Sequence, residues 1–220
     1  MVQWLGRSTV VPNDAVSNPG RGGRFSFEAK TRRPFRSPPL SVFHRGIRRT
    51  GWVLRGIPDP ERISGHMYRM SVMAMMLGND PDAGVNKDKC IRMALVHDMG
   101  ECIVGDITPT CGVSKEEKFR RESEAMDSLA RLVDNVSAAE FKSLWEEYEA
   151  QSSPESKVVK DLDMFDMILQ AHEYEVELQD PGRLQEFFDS TNGRFQHHIV
   201  KQWSEELYKL RASHLSHGEK

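Results

Sequence analysis

Ala94-Leu95-Val96-His97-Asp98-Met99-Gly100-Glu101-Cys102-Ile103-Val104-Gly105-Asp106 begins as an apolar helix and turns polar in its middle. The pattern predicts one helix over about 87–103, burying Ile91, Ala94, Leu95, Cys102 and Ile103. His97, Asp98 and Glu101 interrupt that burial. His97 and Glu101 are four apart, and Asp98 and Glu101 three apart, so all three crowd one side. An unpartnered buried carboxylate is costly, so a positive group is expected there. A divalent metal is the simplest candidate, since His nitrogen and Asp oxygen each bind such an ion at about 2.0–2.2 Å. The competing reading is an exposed His with two solvated acids on an ordinary helix.

Two further ligand candidates lie on flanking helical stretches. Ile63-Ser64-Gly65-His66-Met67-Tyr68-Arg69-Met70 carries His66, and Val158-Val159-Lys160-Asp161-Leu162-Asp163-Met164-Phe165 carries Asp163. Asp166, one turn later, is a rival to Asp163. The order His, His-Asp, Asp resembles the HD-domain metal phosphohydrolases. Arg49-Thr50-Gly51-Trp52, the stretch from His97 to Asp106, Ser114-Lys115-Glu116-Glu117-Lys118 and Leu144-Trp145-Glu146-Glu147-Tyr148-Glu149 make the likeness closer. They resemble the HD domain-containing protein 2 group of 5'-deoxynucleotidases over about residues 48–204.

That resemblance implies a set of roles. His66, His97, Asp98 and Asp163 would hold one divalent ion, whether Mn, Co, Mg, Fe or Zn. Glu101, Asp106 and the Ile107 carbonyl would hold a second, weaker ion. Arg49 and Trp52 would meet phosphate and sugar, with Asp106 and Glu147 as further substrate-binding acids. A homodimer is implied as well. Gly65 departs from the family, where an acid commonly precedes the ligand His. Glu101 is the catalytic candidate on chemical grounds: a carboxylate one turn from Asp98 can take a proton from metal-activated water. No His lies between Asp98 and Asp163, which disfavours two-metal types that add histidines there.

The chain's 220 residues suit one domain with tails, and the expected partition is 1–39, 40–212 and 213–220. Residues 1–39 hold five of the eleven prolines and a net charge of +5, leaving −8 for the remainder. They read as a disordered basic tail or an organelle transit segment. An acidic body does not suit a nucleic-acid polymer. No apolar run is long enough for a membrane span. Cys90, Cys102 and Cys111 form no CxxC pair, which fits a reduced intracellular compartment. The expected location is cytoplasmic, or plastid or mitochondrial if the tail directs import.

The fold expected is all-α, an irregular multi-helix bundle. A short helix is expected over 41–48, and another opening at Asp59-Pro60-Glu61 turns Met67, Met70, Met73 and Ala74 inward. Asn86 is an expected N-cap, and Ser114 with Glu117 and Ser137 with Glu140 are expected capping boxes. Ser153-Pro154 opens the Asp163 helix. The expected activity is hydrolysis of a deoxyribonucleoside 5'-monophosphate, a small-molecule substrate. The alternatives are an HD hydrolase of a nucleoside triphosphate or guanosine polyphosphate, and a non-catalytic metal-stabilised binding module.

Overall fold

The computed structural model describes residues 46–78 and 84–217. The expected tail 1–39, residues 79–83 of the loop expected over 78–84, and the last residues, 218–220, lie outside the described residues. Those described form an all-α fold, with one isolated antiparallel bridge between Arg48 and Arg62. In chain order the α-helices are α1 (Thr50–Leu54), α2 (Ile63–Met76), α3 (Lys87–Val96), α4 (Glu101–Val104), α5 (Lys115–Ala130), α6 (Asn135–Ala150), α7 (Pro154–Glu177), α8 (Gln185–Thr191) and α9 (His198–His217). No helix among them is long and apolar enough to cross a membrane.

The long helix α7 is the axis. Ser153 caps it in a reciprocal box with Ser156, and Pro154 sits in its first turn. Val158, Val159, Leu162, Phe165, Ile168 and Ala171 are buried along it, and α2, α3, α6, α8 and α9 pack around it. On α2, Met70, Met73 and Ala74 face inward as expected.

The expected helix over 87–103 is two helices. α3 ends at Val96, the chain turns through residues 97–100, and α4 begins at Glu101. The turn is tightened by bonds reaching three residues back, from Met99 N–H to Val96 and from Glu101 N–H to Asp98. Gly100 makes the break close-packed, since a Cβ there would meet the Glu122 carbonyl oxygen of α5 at 3.3 Å. The buried face accordingly shifts to Cys90, Met93, Ala94 and Val96, while Leu95 and Ile103 are exposed.

Other boundaries shift for local reasons. α2 begins at Ile63, because residues 59–62 are used by the Arg48–Arg62 bridge and by Glu61, whose carbonyl accepts from Arg49 N–H. Of the helix expected over 41–48, the described residues 46–48 are not helical. Asp134, not Ser137, caps α6, accepting from the N–H groups of Val136 and Ser137. Ser114 caps α5 by accepting from Glu117 N–H, but the Glu117 carboxylate turns to Arg120 and Arg121.

Candidate metal centre

Three elements meet over one point. α2 brings His66, the turn after α3 brings His97 and Asp98, and α7 brings Asp163. His66 and His97 are 0 % and 3 % exposed. His66 Nε2 lies 3.3 Å from Asp163 Oδ1 and 3.7 Å from Asp98 Oδ2, and His97 Nε2 lies 3.2 Å from Asp98 Oδ2. His66, His97 and Asp98 each present a ligand atom within 4.8 Å of the others.

The outward nitrogens of both rings are fixed by what the inner nitrogens touch. His66 Nδ1 is 2.7 Å from Asp166 Oδ2, and His97 Nδ1 is 2.9 Å from the Ala94 carbonyl oxygen. Donation from each Nδ1 leaves Nε2 as a bare acceptor. Both Nε2 atoms are buried and have no hydrogen-bond partner. Two buried acceptors beside two carboxylates are a donor set that fits a divalent cation. Asp166, the rival ligand of the sequence, is instead the acid that orients His66, and it is held in turn by Arg69 Nε. That supplies from α7 the support that Gly65 lacks on α2.

The electrostatics follow. Burial opposes charge on Asp98 and Asp163, yet the pKa of each is held low. His97 and Arg49 outweigh burial at Asp98, and Lys160 and His66 do so at Asp163. Burial and Arg49 oppose a charge on His66, but Asp163 and Asp166 outweigh them and lift its pKa to about 9, so a cation takes the Nε2 acceptor in competition with a proton. Glu101 is pushed well up, first by burial and then by Asp98 and Asp106. It is 3 % exposed, and its Oε2 has no hydrogen-bond partner.

Arg49, the N-cap residue of α1, reaches Asp98 Oδ2 at 3.1 Å and Asp163 Oδ1 at 3.9 Å. Asp106 is tied to the same helix end: its Oδ2 accepts from Thr50 N–H and its carbonyl from the Thr50 hydroxyl, both at 2.7 Å. Arg49, Trp52, Asp106, Thr108 and Phe187 line a cleft of about 300 Å³. Ile107, next along the loop, is buried. A larger groove of about 470 Å³, past Met67, Leu95 and Phe141, touches only Asp98 of the ligand set.

Two expected substrate contacts are engaged by other residues in this structure. Trp52 was expected against the sugar. It is 2 % exposed, its indole N–H donates to Glu61 Oε1 at 2.9 Å, and its ring packs on Tyr174 and Phe187. With its faces covered and its donor used, it supports the cleft from behind. Glu147 does not join the centre, because Lys89 at the start of α3 holds it at 2.7 Å. Glu149, two residues on in α6, feels the centre: its pKa is raised, first by burial and also by Asp98, against the pull of Lys118 and Lys160.

The sequence reading missed three supports. Tyr148 donates to Asp163 Oδ2 at 2.9 Å and stacks edge-on to His97. Lys160 donates to the same oxygen at 2.8 Å. Lys118 lies 3.9 Å from Glu101 Oε1 and 3.5 Å from Glu122 Oε1. Only Lys160 left a local signal, its spacing of three from Asp163.

Comparison with known proteins gives the family of the chain. The model of the HD domain matches residues 44–203. The 5'-deoxynucleotidase HDDC2 of Danio rerio is 54 % identical over 172 residues, covering 78 % of this chain and 84 % of the relative. The 5'-deoxynucleotidase HDDC2 of Homo sapiens is 52 % identical over 170 residues, covering 77 % and 82 %. Among solved structures, the HD domain-containing protein YGK1 is 34 % identical with a TM-score of 0.57, covering 70 % of this chain and 79 % of that one. The PH0347 protein from Pyrococcus horikoshii is 26 % identical with a TM-score of 0.60, covering 79 % and 94 %.

Proposed function

The chain belongs to the HD-domain family, and from that premise we propose that it is a metal-dependent 5'-deoxynucleotidase. It hydrolyses deoxyribonucleoside 5'-monophosphates to deoxynucleosides and phosphate. Relatives of that name share 50 % identity or more with most of the chain. The single observation that carries the reading is the pair of buried, unpartnered Nε2 atoms of His66 and His97 set against Asp98 and Asp163.

In this reading His66, His97, Asp98 and Asp163 hold a divalent ion. When bound, such an ion lowers the pKa of water and offsets charge on phosphoryl oxygens. Glu101 takes the proton from the attacking water, and the burial, Asp98 and Asp106 that raise its pKa make it a stronger base. Asp106 holds the N-terminus of α1 and with it Arg49, which faces the phosphate. Asp106 also borders the cleft that takes the sugar, and Trp52 braces its wall. A second, weaker ion on Glu101, Asp106 and the Ile107 carbonyl, and a homodimeric assembly, complete the proposal.

The rival reading is hydrolysis of a nucleoside triphosphate or guanosine polyphosphate. A phosphate-release panel separates the two, using deoxynucleoside and ribonucleoside 5'-monophosphates and the triphosphates, each with Mn, Co, Mg, Fe or Zn. The proposal expects release from the deoxynucleoside monophosphates, absent with a chelator. Release from the triphosphates alone overturns it.

A further inference from the structure

We propose that Lys118 of α5 is a phosphate-binding residue of this site, gripping the phosphoryl group from the side opposite its tie to Glu122. The inference rests on the reading of the site as one for a phosphomonoester, and deepens it. Arg49 is the obvious cation of the centre, but its guanidinium is engaged at 3.1 Å by Asp98 and is 14 % exposed. Lys160 is engaged too, at 2.8 Å from Asp163 and 3.3 Å from the Tyr148 hydroxyl. Lys118 is different. Its ion pairs, to Glu122 at 3.5 Å and Glu101 at 3.9 Å, are loose, and its side chain is 37 % exposed. Burial works against its charge, but Glu122, Glu101, Asp98 and Asp106 outweigh burial and keep the ammonium protonated.

The placement is built rather than incidental. Gly100 lets α5 pack against the start of α4, with the Glu122 backbone on it. That contact sets Lys118, one helical turn before Glu122, beside the catalytic candidate Glu101. A lysine ammonium is a compact charge on a flexible stem, with donors to spare for phosphate oxygens. A dianionic monoester brings to this acidic centre the anion that Lys118 lacks as a close partner.

The test is calorimetric binding of inorganic phosphate to the metal-loaded protein, with metal content and melting temperature measured beside it. Lys118→Gln should weaken phosphate binding about 10-fold or more, as expected for loss of a charge-assisted bond. Lys118→Met, which keeps the aliphatic stem, is read in the same way should the amide disturb folding. Unchanged phosphate affinity in either folded variant overturns the proposal. So does recovery of affinity in the Lys118→Gln/Glu122→Gln double variant, because Lys118 would then only neutralise Glu122. Persistent loss in the double variant supports it. Phosphate affinity does not depend on which nucleotide is hydrolysed, so a failed 5'-deoxynucleotidase reading and a failed role for Lys118 give different results.

Discussion

Glu101 carries the chemistry of this account, and its environment is specific: 3 % exposed, with one carboxylate oxygen unpartnered. Glu101→Gln keeps the shape but cannot accept a proton. The expected result is retention of the ion on His66, His97, Asp98 and Asp163, with kcat lowered about 100-fold or more. Metal analysis beside steady-state kinetics checks it, and near-normal turnover removes Glu101 from the mechanism. Trp52 gives a contrasting prediction. With 2 % of its surface exposed and its N–H held by Glu61, Trp52→Ala should cost about 3–5 kcal/mol of stability. Denaturant unfolding measures this, and a change well below 1 kcal/mol would show that the ring is not a core residue. Residue types and order pointed to His66, His97, Asp98 and Asp163, and the structure brings these four side chains together. They could not show that the faces of Trp52 are covered or that Glu147 turns to Lys89, because both depend on neighbours far along the chain.

At the scale of elements, the junction of α4 with α5 has a pH signature. Burial raises the Glu122 pKa to about 7, and Lys118 opposes the rise. Between the ordinary carboxylate range and about pH 7, the folded chain therefore keeps a proton on Glu122 that the unfolded chain has released. Stability should fall as pH rises through that window, by on the order of 1–3 kcal/mol from this group. Glu122→Gln cannot titrate, so its unfolding free energy should vary less between pH 5 and pH 8 than that of the unsubstituted chain. Equal slopes would contradict the assigned burial. The same junction explains why the helix containing His97 was misread. Hydrophobic spacing continues past Val96, so nothing local announces the turn. It exists because α5 approaches Gly100 so closely. The caps at Asn86 and Ser114 and the helix start at Ser153-Pro154 were legible because each is settled within four residues.

At the scale of the molecule, the all-α architecture followed from helical periodicity and cap chemistry, and the long α7 supplies both the core and Asp163. The supports of the centre did not follow. Asp166, Tyr148 and Lys118 act only because separate helices converge on the ligands, and separation in sequence hides that. The central claim is that the ion held by His66, His97, Asp98 and Asp163 is the seat of the activity. Asp98 lies within 4 Å of both rings and 3.1 Å from Arg49. Elemental analysis of purified Asp98→Ala, set against the unsubstituted protein prepared alike, tests the claim most directly. The account predicts loss of the bound divalent metal, with phosphate release from deoxynucleoside monophosphates lost in the same sample. A full complement of metal in that variant would contradict it.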